Sequence, residues 1–363
     1  MLVLVCGTSS QPEENRMVQQ FGDSYLAPFS VDSVARRGIN STAHRSSPLK
    51  WTKTKIFSVF SPLQSVSRTR SPLINEESEV VMLDFKLVRI EATNHGLMPF
   101  KPFYADTELL TAWSGGRWVF YTDRDFPAAK VSEWMSWWEE GARLYEFITS
   151  QPQYLEFDSN FGERKVVSIS PHEFWAIGNG QRVEISRAAF DSSLMDSCLD
   201  TKDKHGIVFY EFGRQAGYLY DFYEYAEYTD ESWRRGFPIY MESLCRAVVA
   251  RIDLSHTRWT NGVVERWEKS DLDYMDIFGS KEFEWDRHGF DLGILMGAFL
   301  VDLHENLGIQ FMAKFIQELR QRPGASTSAI EAAYKVQDAA AAAAGCDLSE
   351  FFVTRWRWPA YRG

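Results

Sequence analysis

The stretch His205–Tyr225, HGIVFYEFGRQAGYLYDFYEY, decides how the chain is read. Its apolar residues recur at helical spacing, so one long amphipathic helix is expected over about 203–226. At its centre stands Tyr210-Glu211-Phe212-Gly213-Arg214. Glu211 and Arg214 are three residues apart and so are neighbours on one helix face. The segment fits an ordinary amphipathic helix, with Tyr210 and Tyr218 as core rings and Glu211–Arg214 as a surface pair. It also fits a helix built to carry chemistry, and the surrounding sequence bears on the choice.

A chain of 363 residues can bury a substantial core and hold one large domain or two modest ones. Hydrophobic residues make up 45% and charged residues 25%, the profile of a water-soluble globular chain. Aromatics reach 15%, with 13 Trp, which implies a core or a cleft wall built from large rings. The net charge of -11 divides unevenly: residues 1–75 carry +5 and the remainder -16. An acidic body argues against a nucleic-acid groove. Cys6, Cys198, Cys245 and Cys346 are far apart and form no C-x-x-C pair, so free thiols in a reducing compartment are expected. No apolar run reaches about 18 residues, so no membrane span is expected.

Residues 1–80 differ from the rest. MLVLVCGTSS lacks the basic start of a secretory signal. Ala35 to Pro72 is rich in Ser, Arg and Lys without one acidic residue, a composition that suits a transit-like or disordered leader, or an upstream extension before a start at Met82. Foldable sequence begins near Val80. EVVMLDFKLVRIEA alternates like a strand, and GRWVFYTDRD, Gly116 to Asp125, is another. Ala128 to Ser150 has helical spacing, with Val131, Trp134, Trp138, Leu144, Tyr145 and Ile148 inward. ERKVVSIS and GQRVEIS are two further strands, joined at a Gly178-Asn179-Gly180 turn. Helices are expected thereafter at about 235–252, 288–320, 326–344 and 347–354. Strands first and helices later imply an α+β chain: a mixed sheet lobe at 81–195 followed by a mainly helical lobe at 196–363.

Three segments, in order, resemble the zincin metallopeptidases of the gluzincin branch. That family carries H-E-x-x-H on a helix, so that both His face one zinc ion while the Glu activates the bound water. Tyr210-Glu211-Phe212-Gly213-Arg214 resembles it with both His replaced. SWRRGFPIYMES is similar to the W-x-x-E-G-F-A-x-Y helix that supplies a third ligand: Trp233, Gly236, Phe237 and Tyr240 match, although Trp233 is one residue nearer the Gly, and Arg235 stands where the ligand Glu belongs. GCDLSEFFVTRWRWP, Gly345 to Pro359, is similar to the segment that closes several zincins. GQRVEIS is then the expected edge strand along a substrate cleft.

The departures have physical consequences. A tyrosine hydroxyl is a poor zinc ligand at neutral pH, and a guanidinium has no free lone pair and repels a dication. The resemblance therefore implies a zincin-like fold without its zinc, with no cofactor. Tyr210, Arg214 and Arg235 are the degenerate metal-site positions, and Arg214 and Arg235 are expected to converge on Glu211. The expected function is a non-catalytic pseudo-metallopeptidase using its cleft for binding or scaffolding. The alternatives are a hydrolase with a rearranged site using Glu211, vestigial or not, and a glycan- or peptide-binding module.

Other sites compete with this one. Ala112 to Trp118, AWSGGRW, is either a sugar platform with Trp113 and Trp118 as ligand contacts or a tight turn with both rings in the core. His172-Glu173 and His304-Glu305 lack a second His four residues on, and His304-Glu305 is expected to be a solvated or capping pair. Asp286, His288 and Asp291 precede a helix and read as capping residues before they read as metal ligands. No phosphate-loop, dinucleotide or serine-hydrolase motif occurs. The expected partner is an unidentified peptide, protein or glycan, with no nucleic acid, and an intracellular location is favoured over secretion.

Overall fold

The structure, a computed structural model, describes residues 88–360 except 104, 154, 171–175, 179–181, 188–205, 220–229, 251–253, 255–261, 280–285 and 323–325. These residues lie in the unit Phe85–Gly363. The leader, the strand expected before residue 88, His172, Cys6, Cys198 and the ends of the quoted helix stretch fall outside them.

The chain is α+β, with a mixed sheet and helices. Its strands are β1 (Thr93–Phe100), β2 (Glu108–Gly115), β3 (Trp118–Thr122), β4 (Glu156–Asp158), β5 (Gly162–Ser170), β6 (Ala176–Gly178) and β7 (Arg182–Ser186). Their order is β1-β2-β3-β5-β7-β6, with β4 paired to β5. The first helix, α1 (Ala128–Thr149), lies between β3 and β5 in sequence, and these two strands pair in parallel. That helix follows the spacing read from the sequence. Every expected inward residue is buried, and so are Met135 and Trp137.

β3 is buried on both faces because its alternation feeds two cores. Trp118 and Phe120 meet Trp138, and Phe120 also meets Trp134, both on α1. Val119 and Tyr121 join Phe100, Leu110, Ala112 and Val166 on the other side. The register Trp113↔Phe120 and Ala112↔Tyr121 keeps this division across β2.

Two strand expectations need correction. Residues 88–92 form no strand, and pairing starts at Thr93. β5 and β7 do not form a hairpin: they pair in parallel, because a short extra strand, β6, turns back antiparallel onto β7. Among the described residues β6, not GQRVEIS, is therefore the end strand of the sheet. Asn179 and Gly180 of the expected turn lie outside the described residues.

The helices are α2 (Gly206–Leu219), α3 (Asp230–Ala250), α4 (Val263–Lys269), α5 (Tyr274–Phe278), α6 (Leu292–Arg320) and α7 (Ala329–Ala344), followed by a wide π-type turn at Glu350–Arg355. A small pair, β8 (Asp286–Arg287) and β9 (Phe290–Asp291), leads into α6. The sequence reading missed α4 and α5, which are too short for a clear period. By length and composition α6 could cross a membrane, but most of its apolar window is buried and its backbone leaves helical geometry at Gly308, with φ 82° and ψ 169°. Close packing of α3 on α6 depends on Gly236: a β-carbon there would fall 2.5 Å from Met296 Cγ.

Candidate functional site

Two backbone approaches bring the candidate residues together. On α2, a β-carbon at Gly213 would sit 2.7 Å from Pro238 Cα of α3. This close crossing sets Arg214 and Arg235 on neighbouring helices. On the other flank α2 meets the end of the sheet: a β-carbon at Gly178 of β6 would lie 2.5 Å from Glu211 Cβ and 2.8 Å from its Oε2. Glycine at 178 is thus required for the sheet edge to abut the helix.

Tyr210, Arg235 and Asp291 form the first cluster. Arg235 Nη2 donates to Asp291 Oδ2 at 2.6 Å. Arg235 also hydrogen-bonds Tyr210. Burial works against the Arg235 charge, but Asp291 and Tyr210 outweigh it and hold the guanidinium firmly protonated. Burial pushes the Tyr210 phenol up, while Arg214 and Arg235 pull it down. Asp291 also acts on the backbone, where its Oδ1 accepts from Ile294 N at 2.9 Å and caps α6. The cluster therefore joins α2, α3 and the start of α6.

Glu211 is the second element. It is 2% exposed, yet poorly served. The Gly178 N–H donates to its carboxylate, and Arg214 Nη1 stands 3.9 Å from Oε2, beyond hydrogen-bonding range. Oε2 has no hydrogen-bond partner. Burial pushes its acid up to about 7, with Arg214 and the Gly178 N–H only partly opposing. A carboxyl in this state can give or take a proton near neutral pH.

The expected convergence of both arginines on Glu211 is corrected here. Arg214 is near it, but Arg235 turns to Asp291, the acid that the crossing of α3 over the start of α6 sets beside it. Capping was the sequence-based expectation for Asp291, and the structure bears it out; its pairing with Arg235, at a separation of 56 residues, left no sequence signal. Gly178 was read only as part of a turn.

The residues present do not fit a zinc ion. At the three positions that the sequence resemblance aligned with metal ligands stand one phenol and two guanidinium groups, of which only the phenol offers a lone pair, and that phenol is pushed away from ionisation. Among the described residues no group of three or more His, Cys, Asp or Glu is placed to hold a metal.

The remaining candidates lie elsewhere. Trp113 is 5% exposed and Trp118 is fully buried, so neither can stack on a sugar, which corrects their reading as ligand contacts. Trp118 Nε1 donates to Glu139 Oε2 at 2.9 Å in the core under α1. Large rings bury where a sheet face meets a helix, and these two did. Asp286 accepts from Gly289 N at 3.0 Å within the β8–β9 turn. His304 is not solvated: its Nδ1 meets the Tyr240 hydroxyl at 2.8 Å, and burial pulls its pKa down to about 4. One group was not anticipated. Lys165 on β5 is 1% exposed, holds Gln153 Oε1 at 3.0 Å, and lies over the Phe212 ring at 5.1 Å. Burial draws its pKa down to about 7.

No family model and no curated protein matches the chain. Solved structures similar to it include a functionally unknown conserved protein from Bacillus anthracis str. Ames, 15% identical, with a TM-score of 0.46, covering 68% of this chain and 48% of that one. ZmpB metallopeptidase from Clostridium perfringens is 16% identical at TM-score 0.39, covering 68% and 46%. The M1 zinc metallopeptidase of Deinococcus radiodurans is 11% identical at TM-score 0.35, covering 76% and 63%. The structural neighbours thus include M60 and M1 zinc metallopeptidases, at low identity. The chain spans about half the length of the first two.

Proposed function

We propose that this protein is a zincin-like pseudo-metallopeptidase that binds an extended peptide beside Glu211 without zinc chemistry. The sheet lobe, 81–195, supplies the edge, and the helical lobe, 196–363, supplies the acid and the guanidinium groups. The observation that carries the reading is the Glu211 oxygen without a partner, held against the end strand β6 at Gly178. An end strand presents main-chain groups that an extended peptide can pair with. The Tyr210–Arg235–Asp291 cluster supports the loss of zinc, because it ties the helices where the family uses a metal.

The test combines binding with metal content. Pools of N-acetylated, C-amidated hexapeptides are passed over the immobilised protein, and amide hydrogen exchange is followed along β6. Retention with slowed exchange at a β6 amide other than Gly178, which Glu211 already holds, is expected, with no bound zinc by elemental analysis. Stoichiometric zinc with chelator-sensitive peptide cleavage, or no retained peptide, would overturn the reading. A second reading, a metal-free hydrolase, draws on the Glu211 acid at about 7. It requires that metal-depleted protein cleave the retained peptides and that Glu211→Gln abolish the cleavage.

A further inference from the structure

We propose that the contact between Glu211 and Gly178 is an autoinhibitory latch that closes β6 to the peptide it would pair with. This rests on the peptide-binding reading above and names how the same site is regulated. β6 pairs antiparallel with β7 through Ala176↔Ile185, Ile177↔Glu184 and Gly178↔Val183. In such a ladder the N–H and C=O of one residue point to the same side, and the side alternates along the strand. The Gly178 N–H goes to the Glu211 carboxylate on α2. The main-chain groups of Gly178 therefore point away from β7, those of Ile177 point to it, and those of Ala176 point away again. Within its three residues β6 presents two outward positions, Ala176 and Gly178, and Glu211 holds the donor of the second.

The contact closes the space as well as the donor. An added strand would lie about 4.8 Å from β6. At Gly178 that place is filled: a β-carbon there would fall 2.5 Å from Glu211 Cβ, 2.8 Å from its Oε2 and 3.1 Å from its main-chain oxygen. The Glu211 carboxylate thus stands in for the carbonyl of a neighbouring strand. Helix α2 is held on its other flanks. The Tyr145 hydroxyl of α1 donates to Phe209 O at 2.7 Å, and a β-carbon at Gly213 would lie 2.7 Å from Pro238 Cα. Among the described residues β6 is held in the sheet by one ladder of three pairs. β6 is therefore the part that yields, and a peptide binds only in the fraction of molecules in which Gly178 has left Glu211. The apparent affinity is reduced by that fraction. The latch needs an acceptor at position 211 but not a charge, so it holds whether or not the acid carries a proton.

The latch is tested with side chains that keep or remove the acceptor. Full-length wild type, Glu211→Gln, Glu211→Ala and Gly178→Ala are equilibrated with a pool of N-acetylated, C-amidated hexapeptides, and retained peptide is quantified by mass spectrometry. Glutamine can still accept from Gly178, and alanine cannot. Glu211→Ala should retain about five- to tenfold more peptide than Glu211→Gln, the factor that one such hydrogen bond is worth. Without peptide, exchange of the Gly178 amide should quicken in Glu211→Ala over Glu211→Gln by the same factor. Gly178→Ala works from the strand: its methyl group cannot sit against Glu211 Cβ, so it should raise retention over wild type. Retention by Glu211→Ala no higher than by Glu211→Gln, or by Gly178→Ala no higher than by wild type, overturns the latch while leaving peptide binding at β6 intact. Retention by none of the four proteins overturns both. Each comparison decides alone, so one poorly folded variant does not remove the test.

Discussion

Two buried carboxylates among the helices are treated in opposite ways. Asp302 on α6 is completely served: Arg355 grips it through Nε at 2.6 Å and Nη2 at 2.8 Å, Trp356 Nε1 donates at 2.7 Å, and Asn306 Nδ2 adds a bond at 3.2 Å. These bonds fasten the C-terminal π-type turn to α6. Glu211 on α2 is at least as deeply buried and has one backbone N–H, one distant guanidinium and an oxygen without a partner. Depth of burial does not separate an acid that holds a fold together from one left reactive. The number and closeness of its donors do.

The contrast meets its severest challenge at Asp302. Asp302→Ala should cost about 3–4 kcal/mol, because it leaves Arg355 and the Trp356 N–H without their common acceptor. Urea unfolding at pH 7 measures it, and a loss below about 1 kcal/mol would mean that the satisfied acid holds nothing together. Glu211→Gln should act with the opposite sign. The folded-state pKa of Glu211, about 7, lies above the ordinary 4.5, so between these values the native state binds the proton that the unfolded chain has lost. Its favourable contribution is fully present below about 4.5 and is lost as pH rises through about 7. Groups facing it are Arg214 on its own helix, the Gly178 N–H on β6 and the Tyr145 phenol on α1. Glutamine removes the titration, so the variant should gain about 3 kcal/mol over wild type at pH 8 and less than about 1 kcal/mol at pH 5. Paired melts at the two pH values read the difference, and a gain that does not change with pH would place the Glu211 acid in its ordinary range.

Much of this contrast could be read from the sequence, and its decisive part could not. Helix α1 was legible because a 22-residue amphipathic period is long enough to rise above chance. The Y-E-F-G-R and W-R-R-G-F segments could be set on successive helices for the same reason. The three residues of β6 were not legible, since so short a strand has no period to detect and its pairing with β7 is set by the chain's return. Missing β6 moved the expected edge by one strand and hid the role of Gly178. The charge pattern showed two arginines and an acid but not their pairing. A guanidinium goes to the nearest acid in space, and the Gly236 crossing of α3 over α6 made that acid Asp291. Trp113 and Trp118 misled because an aromatic pair around two glycines looks the same in a binding platform and in a turn under a helix.

The two arginines refine the contrast at lower energies. Arg235→Ala should destabilise the protein by about 2 kcal/mol, because it leaves Asp291 and Tyr210 without a shared donor at the joint of α2, α3 and α6. Calorimetric melting at pH 7 checks this, and an unchanged midpoint would deny the cluster its role as the tie. Arg214→Ala removes the guanidinium that stands 3.9 Å from Glu211 Oε2, and its effect should appear on Glu211, whose acid loses the one opposing positive charge on its own helix. Carbon-detected NMR titration of the Glu211 carboxyl in Arg214→Ala should show the midpoint moving further above about 7. A downward move would show that burial is not what holds the proton.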